Sequence, residues 1–403
     1  MNVLYIGKFF PQSLMATIKD NSKGKIGFSN HNFEMSVING LCQQQVINLR
    51  CVSLPGVFSY PRNNKRLYTK SESYEYQGTH VYSAGFCNLV GIKEIWATVS
   101  LSKLLAKEFA MFPAGPVHLI INTPDNRLLE SVSAARRKCN RRLTKTVIIP
   151  DVPSMVTSMD SQNIFKRCVL NVLDKRAMKK ASESDGLVLL TEAMMDFVNR
   201  PVRHIVMEGI VNVSSICNGT GTSNDKKIIL YTGTLRKIFG VQNLIRAFEL
   251  IPDNDAELWI CGSGDSSEYI RCAAQKDKRI KFYGLVDSRV ALELQHKAMI
   301  LVNPRTSDGE YTKYSFPSKT MEYLLAAKSV VINRLPGIPD EYYNYVYTPS
   351  DESVSALAKC LVNIFSLSSE ERLRFANAGR KFVLEKKNSK IQMERVINLI
   401  QSY

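Results

Sequence analysis

The sequence contains no long hydrophobic run and little that is typical of a secreted or metal-binding protein. No stretch of about 18 uncharged apolar residues occurs, so no membrane-spanning helix is predicted. The first ten residues, MNVLYIGKFF, lack the basic leader and long apolar core of a signal peptide, and they predict a first β-strand instead. The nine cysteines are scattered, without the close Cys and His spacing of a zinc site. Reduced thiols in a cytoplasmic protein are therefore expected.

The composition is that of an ordinary globular protein, with 45% hydrophobic and 22% charged residues. It disfavours disorder, collagen and coiled coil, and a chain of 403 residues predicts two domains. The net charge of +16 is uneven, because residues 1–200 hold 26 Lys and Arg against 15 Asp and Glu. A basic N-terminal half indicates a polyanionic neighbour, namely anionic lipid, a phosphorylated acceptor or nucleic acid.

Strand-like and helix-like runs alternate along the whole chain, and the alternation occurs twice. Such alternation predicts parallel sheets covered by helices, that is, two doubly wound Rossmann-like α/β domains. Between the two runs, residues 212–225 are rich in Ser, Asn, Gly and Thr, which is typical of a linker. The predicted parts are an N-terminal Rossmann-like domain (1–211), a linker (212–226), a C-terminal Rossmann-like domain (227–385) and a C-terminal helix (386–403) that packs back on the N-terminal domain.

The predicted strands are short apolar runs rich in Val, Ile and Leu. In the first half they are Val3–Ile6, Val46–Val52, Val81–Ser83, His118–Asn122 and Thr146–Ile149. In the second half they are Lys227–Tyr231, Glu257–Cys261, Ile280–Tyr283, Met299–Asn303 and Val330–Asn333. Helical periodicity is evident over Phe33–Leu41 and Arg127–Cys139.

Three segments of the second half combine residues suited to a nucleotide. In the first, YTGTLRKIFGVQNLIRAF, a strand runs into a turn that carries Gly233, Thr234, Arg236 and Lys237. Glycine permits close approach of a ligand to the backbone, and cations there can meet a diphosphate. An ordinary strand–turn–helix connection with solvated cations is the alternative. The second segment, ELWICGSG, is a strand with a Gly-rich turn, which is weak evidence by itself.

The third segment, at 303–341, is the most informative. After a strand that ends at Asn303 and a long polar loop, S-F-P-S begins a helix at Ser318. A helix N-terminus offers unpaired N–H groups to a phosphate, and Lys319 adds a full positive charge. Glu322, one turn into the helix, can accept hydrogen bonds from the adjacent hydroxyls of a ribose. The alternative is a capped surface helix whose Glu322 faces water.

In this order, the three segments resemble the C-terminal domain of glycosyltransferase family four, which has the GT-B fold of two Rossmann-like domains facing across a cleft. The matching features are Y-x-G-x-L, W-I-C-G-S-G, F-Y-G at 282–284, F-P-S-K-x-x-E-Y and L-P-G-I-P-D-E. The S-F-P-S-K-x-x-E-Y form is similar to members that build bacterial capsular and exopolysaccharides. The resemblance covers residues 205–350 well, and the N-terminal half only in pattern, through IIPDVP at 148–153 and VMEG at 206–209.

The resemblance implies a retaining transferase that uses a nucleotide-sugar, a UDP-sugar, as co-substrate, with no cofactor and no essential metal. It also implies that the N-terminal domain (1–211) binds the acceptor and that the C-terminal domain (227–385) binds the nucleotide-sugar. The family's ribose-binding glutamate corresponds to Glu322. Its diphosphate-binding helix start corresponds to Ser318, Lys319 and Thr320, and its base-holding loop to Gly284, Leu285 and Val286. No Asp-x-Asp metal motif stands out, and a helix dipole with cations can stabilise a leaving diphosphate.

Some positions depart from the family pattern. An earlier family glutamate falls at Tyr314, and the nearest upstream carboxylate is Glu310. The usual phosphate-binding Arg and Lys fall at Thr234 and Phe239, so Arg236 and Lys237 are expected to substitute for them.

The predicted catalytic groups are Glu310, Lys313 and Asp151. Asp151 occupies an N-domain loop after the fifth strand, where much of the family has a His in an N-domain loop. His31 either contacts donor or acceptor or is a surface or capping residue.

The segment NIFKRCVLNVLDKRAMKKA places Lys175, Arg176, Lys179 and Lys180 among apolar residues at helical spacing. A basic amphipathic helix predicts contact with an anionic membrane surface at the inner face of the plasma membrane. The alternative is a core-packed helix with a solvated basic face. Nucleic acid is disfavoured as a partner, because the cations lack interleaved aromatic residues or a known motif.

The function predicted from these features is transfer of a sugar to a saccharide or lipid-linked saccharide in cell-surface polysaccharide synthesis. Two alternatives stay open. A nucleotide-sugar epimerase of similar fold would turn over the donor without an acceptor. A non-catalytic partner subunit, which Tyr314 would permit, would bind the donor without turnover.

Overall fold

The computed structural model describes residues 1–23, 28–152, 164–211 and 226–403. The chain folds into two compact units, which we call the N-terminal unit (Met1–Asn212 with Asn388–Tyr403) and the C-terminal unit (Val213–Lys387). The predicted linker lies almost entirely outside the described residues. The unit boundaries show that the last helix belongs with the first part of the chain.

The N-terminal unit is built on an eight-stranded sheet in the order β10-β9-β8-β7-β1-β2-β5-β4, together with a short β3–β6 ribbon. All neighbours in the large sheet are parallel except β4, which is antiparallel to β5. The strands are β1 (Asn2–Gly7), β2 (Asn48–Ser53), β3 (Tyr68–Thr69), β4 (Glu72–Tyr76), β5 (Thr79–Ser83), β6 (Phe86–Cys87), β7 (Val117–Asn122), β8 (Leu143–Ile149), β9 (Gly186–Leu189) and β10 (Arg203–Val206).

Helices cover this sheet, as the alternating pattern predicted. They are α1 (Met15–Asn21), α2 (Phe28–Cys42), α3 (Lys93–Met111), α4 (Asn126–Arg136) and α5 (Ile164–Ser182). The Asp125 carboxylate caps α4 by accepting a hydrogen bond from the amide of Arg127. This helix ends at Arg136, so the predicted helical stretch was too long and Cys139 lies beyond it.

The C-terminal unit has one five-stranded, fully parallel sheet in the order β13-β12-β11-β14-β15. Its strands are β11 (Ile228–Thr234), β12 (Glu257–Ser263), β13 (Ile280–Gly284), β14 (Ile300–Asn303) and β15 (Ser329–Ile332). Its helices are α6 (Val241–Glu249), α7 (Ser267–Lys276), α8 (Ser288–Lys297), α9 (Lys319–Leu325), α10 (Val354–Ser366) and α11 (Ser369–Lys386). All five strands predicted for this half are present.

The last helix, α12 (Ser389–Gln401), packs against α2 in the core of the N-terminal unit. Val396 and Ile400 of α12 are fully buried there, and so is Leu41 of α2. The two helices approach closely at Gly40, where a Cβ atom would lie 2.1 Å from Ser389 O. The predicted return of the C-terminal helix to the first domain is confirmed.

None of the described helices is both long enough and apolar enough to cross a membrane.

Candidate functional site

Glu322 lies on the first turn of α9, where the chain enters the helix from the carboxyl-terminal edge of the sheet. Its side chain is 36% exposed. Its Oε1 accepts a hydrogen bond from Gln295 Nε2 at 2.6 Å. Lys319 Nζ lies 2.7 and 2.8 Å from its two oxygens. The carboxylate is therefore held by one neutral and one cationic neighbour while it still reaches solvent.

A buried polar network fixes this position. Tyr323 is fully buried, and its hydroxyl accepts a hydrogen bond from Thr232 N at 2.9 Å, which fastens α9 to β11. Gln295 of α8 is also fully buried and donates to Thr232 Oγ1 at 3.2 Å as well as to Glu322. Because buried hydrogen-bonded networks hold their members in one geometry, the orientation of Glu322 is set from the interior of the sheet.

The start of α9 supports the predicted phosphate contacts only in part. Ser318 is exposed, and its side chain makes no capping hydrogen bond. Thr320 is fully buried, and its amide donates to Pro317 O at 2.9 Å. The structure therefore gives no support to a phosphate contact at Thr320. Since α9 has seven residues, Lys319 rather than the helix dipole has to supply most of the positive charge here.

Glycines allow the ends of β11 and β12 to come together. Gly262 has a φ of 141°, and a Cβ atom there would lie 1.8 Å from Gly233 O. A Cβ atom on Gly264 would lie 2.4 Å from Leu235 O. The glycines of W-I-C-G-S-G thus have a structural role, in line with the weak evidence that this turn offered by itself.

The predicted cations of the β11 turn stand at its surface. Lys237 is exposed, and its amide donates to Asp265 Oδ1 at 2.8 Å, which fixes the main chain of the turn. Arg236 is half-buried. Thr234 is exposed, and its carbonyl accepts the Tyr231 hydroxyl at 2.9 Å. Exposed charges are screened by salt, so Lys237 alone makes a weak anion site.

The end of β13 presents an open main chain. Gly284 has a φ of 67° in the left-handed region, and a Cβ atom there would meet nothing within 4 Å. Leu285 is 72% exposed, and Val286 is half-buried. Behind this turn, Tyr283 packs edge-on against Trp259 with ring centroids 5.6 Å apart. This segment thus has free space beside its backbone, which the predicted base-holding role requires.

The predicted catalytic pair of the C-terminal unit lies on a short 3-10 helix at Glu310–Tyr314. The Glu310 side chain is 71% exposed, and its Oε1 lies 3.6 Å from Lys313 Nζ. Tyr314, which takes the place of the family's earlier glutamate, is buried, and the Lys313 ammonium lies 4.6 Å from its ring centroid. An aromatic ring therefore replaces a carboxylate at this position, and Glu310 stands in solvent.

The third predicted catalytic residue, Asp151, follows β8 in the N-terminal unit. Its side chain is exposed, although enough protein surrounds the carboxyl group for desolvation to raise its pKa to about 6. His31 is half-buried on α2, and its Nδ1 accepts the amide of Phe10 at 3.2 Å. Burial lowers the pKa of His31. This contact fits the capping interpretation of His31, and its contact with donor or acceptor stays a prediction.

Glu34 is a buried carboxyl group beside the β1 loop, and no sequence pattern singled it out. Its oxygens accept the amide of Lys8 at 2.9 and 3.1 Å and the hydroxyl of Tyr5 at 3.1 Å. A Cβ atom on Gly7 would lie 1.8 Å from Glu34 Oε2, so only glycine fits there. Desolvation raises the pKa of Glu34 to about 7, against the opposing effect of the Lys8 amide.

The N-terminal unit contains a cavity of about 690 Å³ at the carboxyl-terminal ends of β1 and β7, between α3, α4 and α5. Its apolar lining comes from Ile95 and Val99 of α3 and from Leu170 and Leu173 of α5. Its charged lining comprises three cations and four carboxylates. The size lies within the range of small-molecule sites, and the near-balance of charge favours a neutral polar ligand.

Three of the residues that line this cavity, Lys8, Asp125 and Arg127, form an ion-pair cluster. Asp125 Oδ2 lies 3.0 Å from Lys8 Nζ and 2.7 Å from Arg127 Nη2. Desolvation opposes ionisation of Asp125, but Lys8 and Arg127 outweigh it and hold its pKa well below the usual range. Thr123, also in the lining, has a φ of 72°, which is strained for a β-branched residue. Such strain is concentrated at functional sites, so the loop after β7 is a candidate ligand contact.

No cluster of three or more metal-ligating side chains occurs among the described residues. One Asp-x-Asp sequence does exist, at Asp253-Asn254-Asp255, which corrects the sequence interpretation. Asp253 Oδ2 lies 2.5 Å from Lys227 Nζ, just before β11 begins. This pair is therefore at the amino-terminal edge of the sheet, opposite the edge that leads to Glu322.

Arg305 is the cation that sequence reasoning missed. It follows β14 directly after Pro304, and its guanidinium carbon lies 4.3 Å from the centroid of the Phe239 ring. Asn333 Nδ2 donates to Arg305 O at 3.0 Å, which ties the ends of β14 and β15 together. A charged residue just after a strand was visible in the sequence. Its proximity to Phe239 was not, because the two positions are far apart along the chain.

These features lie at the carboxyl-terminal edge of the Rossmann-like sheet in the C-terminal unit, and this part of the chain has relatives among known proteins. Residues 226–366 match the family described as glycosyl transferases group 1. This match lies within the C-terminal unit, and the predicted resemblance to this family is confirmed over these residues.

One curated relative is an uncharacterized glycosyltransferase of Methanocaldococcus jannaschii, which is 27% identical over 122 residues. The match spans 29% of this chain and 30% of that protein, so it covers less than a third of the relative's length.

Solved structures share the fold of the whole chain. Sucrose-phosphate synthase from Thermosynechococcus elongatus superposes with a TM-score of 0.62 at 13% identity, with 100% of both chains covered. HepE from Anabaena in complex with UDP also gives a TM-score of 0.62, at 11% identity and 100% coverage of both chains. At this level of identity the likeness establishes the GT-B fold.

Proposed function

We propose that this protein is a glycosyltransferase that moves a sugar from a nucleotide-sugar donor, held by the C-terminal unit, to a saccharide or lipid-linked saccharide held by the N-terminal unit. The observation that carries the proposal is the partly exposed carboxylate of Glu322, oriented from the sheet interior within the segment that matches the family. A UDP-sugar donor, retention of configuration and a role in capsular or exopolysaccharide synthesis rest on the family resemblance.

The donor is proposed to lie along the carboxyl-terminal edge of the five-stranded sheet. Glu322 accepts hydrogen bonds from the ribose hydroxyls, and Lys319, 2.7 Å from it, contributes positive charge to the adjacent phosphate. The open main chain at Gly284–Val286 holds the base. The HepE structure, which contains UDP, is a precedent for a nucleotide on this fold.

The acceptor is proposed to bind in the 690 Å³ cavity of the N-terminal unit. Four carboxylates line the cavity against three cations, so it is better suited to hydroxyl groups than to a phosphate. Its partly exposed apolar residues suit a nonpolar group attached to the saccharide. Asp151 does not line this cavity, but it follows β8, which is the neighbour of β7 in the sheet. Its pKa near 6 suits proton exchange with an acceptor hydroxyl, because a group that titrates near neutral pH serves that purpose well, and we assign it this role.

Donor binding is tested by a thermal-shift screen of nucleotide-sugars and nucleoside diphosphates on the full chain. A ligand that binds the folded protein raises Tm through RT ln(1 + [L]/Kd). We expect a UDP-sugar to raise Tm and to release UDP when an acceptor saccharide is present. If no nucleotide raises Tm at millimolar concentration, the proposed function is wrong.

Acceptor binding is tested with two neighbouring substitutions on α5. Leu173 lines the cavity and is 42% exposed, whereas Val172 is 67% exposed and does not line it. Leu173→Arg should weaken binding of an octyl glycoside, measured by ligand-observed NMR, while the matched Val172→Arg should not. Equal binding by the parent and both variants would place the acceptor elsewhere.

A non-catalytic partner subunit is a second candidate, and the observation that favours it is Tyr314. This buried ring stands where the family has a glutamate, and Glu310 is displaced into solvent. Such a protein would bind UDP without turnover in the presence of any acceptor. An epimerase of similar fold would instead convert the donor without an acceptor, and product analysis after incubation with donor alone separates the two.

A further inference from the structure

Arg305 is a half-buried cation that lies against aromatic rings at the carboxyl-terminal end of β14. Its guanidinium carbon lies 4.3 Å from the ring centroid of Phe239 and 5.8 Å from that of Tyr311. Its Nη1 is 3.5 Å from Ser315 Oγ, at the limit of a hydrogen bond. Its Nε is buried and has no hydrogen-bond partner among the described residues. Several of its five donors are thus unused in the protein itself.

Arg305 makes no ion pair with a carboxylate of the described part of the chain. Other partly buried arginines here are paired, for example Arg50 with Glu108 at 2.7 Å and Arg127 with Asp125 at 2.7 Å. Burial lowers the pKa of Arg305, against the opposing effect of Tyr311 and Tyr231. A buried positive charge without a counter-charge costs free energy, which an incoming anion would recover.

Arg305 lies beside the turn that follows β11. A Cβ atom on Gly240 would lie 2.0 Å from Pro304 O, so the turn and the end of β14 are in close contact. Tyr311 OH donates to Ile238 O at 3.2 Å, which fastens the β14 loop to the same turn. Phe239 stands where the resembling family has a phosphate-binding Lys. The guanidinium of Arg305 therefore lies next to the position from which that cation is missing.

We propose that Arg305 binds the diphosphate of the nucleotide-sugar donor and takes over the role of the cations lost at Thr234 and Phe239. The planar guanidinium can donate two parallel hydrogen bonds to phosphate oxygens, and its stacking on Phe239 fixes the orientation of these donors. Arg236 and Lys237 are then secondary cations at the edge of the site. The inference rests on the proposed function and names the residue that recognises the anionic part of the donor.

The test compares three probes on the full chain: UDP, uridine and inorganic pyrophosphate, each by isothermal titration calorimetry. Arg305→Gln should weaken UDP and pyrophosphate binding by about tenfold or more, because it removes a charged donor pair. Uridine affinity should change by less than about twofold, because uridine lacks the phosphates. Arg305→Lys should recover part of the loss, since it keeps the charge without the fork.

Arg279 provides a matched control. Its guanidinium also stacks on a ring, 4.8 Å from the Phe248 centroid, but it pairs with Asp277 at 2.7 Å and precedes β13 at the amino-terminal edge of the sheet. It also donates to Ile251 O at 2.7 Å. Arg279→Gln should lower Tm and leave UDP affinity unchanged.

If Arg305 only braces the loop, Arg305→Gln will lower Tm of the ligand-free protein and weaken uridine and UDP equally, and the inference is overturned. Unchanged UDP affinity in a folded Arg305→Gln variant overturns it too. A parent that binds no nucleotide refutes the proposed function separately. In that event pyrophosphate decides whether an anion site at Arg305 exists, because its binding must be present in the parent and lost in Arg305→Gln.

Discussion

Replacing Glu322 by Gln removes one charge from the site and should leave its geometry otherwise unchanged. The carboxylate accepts a hydrogen bond from Gln295 at 2.6 Å and forms an ion pair with Lys319 at 2.7 Å. A glutamine keeps an oxygen that can face Gln295, but it loses the ion pair and offers the ribose a single acceptor. The buried anchor of the helix, the Tyr323 hydroxyl on Thr232, is untouched.

These contacts set the expected magnitudes. The Lys319–Glu322 pair is about one-third exposed on both sides, so its loss should cost the folded state about 0.5 kcal/mol. Hydrogen bonds from a ribose to a charged group are worth roughly 1.5–3 kcal/mol each. Because 1.4 kcal/mol is a factor of ten, UDP affinity should fall by about tenfold or more while folding changes little.

The assay is isothermal titration calorimetry with UDP and uridine, together with urea unfolding of the ligand-free proteins. Uridine should lose as much affinity as UDP, because both carry the ribose. This pattern separates Glu322 from Arg305, whose substitution should weaken binding of UDP but not of uridine. A matched control is Glu268→Gln, which removes another i,i+3 ion pair, with Arg271, on the exposed surface of α7. If folded Glu322→Gln binds UDP as tightly as the parent, the assignment of α9 to the donor is refuted.

The remaining predictions concern the N-terminal unit. Glu34 has its pKa raised from 4.5 to about 7, so it stabilises the fold below pH 4.5 and this contribution, roughly 3 kcal/mol, is lost as pH rises toward 7. Urea unfolding should therefore show a flatter pH dependence between pH 4.5 and 7 in Glu34→Gln than in the parent, and parallel curves would contradict this. Asp125→Asn leaves Lys8 without an ion-pair partner among the described residues and leaves Arg127 paired with Glu94 alone, so it should lower the free energy of unfolding by about 3 kcal/mol. An unchanged urea midpoint would show that the cluster does not stabilise the fold. Replacing Lys175, Arg176, Lys179 and Lys180 by Gln should release the protein from anionic vesicles in a sedimentation assay, at about 1 kcal/mol per charge near the surface, and unchanged binding would exclude this face.

Within that basic set, two side chains are paired with a carboxylate of the described residues and two are not. Arg176 and Lys180 both lie within 3.0 Å of Glu130, so part of their charge is compensated. Lys175 and Lys179 are exposed on α5, and neither makes an ion pair with a described residue. The double variant of Lys175 and Lys179 should therefore account for most of the loss of vesicle binding.

The alternation of strands and helices was readable from the sequence because apolar periodicity reflects local burial. All five strands of the C-terminal unit were predicted within a few residues, and so were β1, β2, β5, β7 and β8. The short β9 and β10 were missed, because a four-residue apolar run such as Gly186–Leu189 carries no period of its own. Of the edge hairpin formed by β4 and β5, only β5 was predicted, because the β4 segment Glu72–Tyr76 is mostly polar or aromatic.

The sequence by itself determined the position of Glu322 on the first turn of a helix after β14, because a strand, a polar loop and a helix start are local features. Only the tertiary structure decided which other groups take part. The burial of Thr320 depends on which face of α9 packs on the sheet, and the stacking of Arg305 on Phe239 depends on β14 lying next to β11. Strand order is set by packing of the whole sheet rather than by any one segment, so contacts between neighbouring strand ends follow from the fold and not from local sequence.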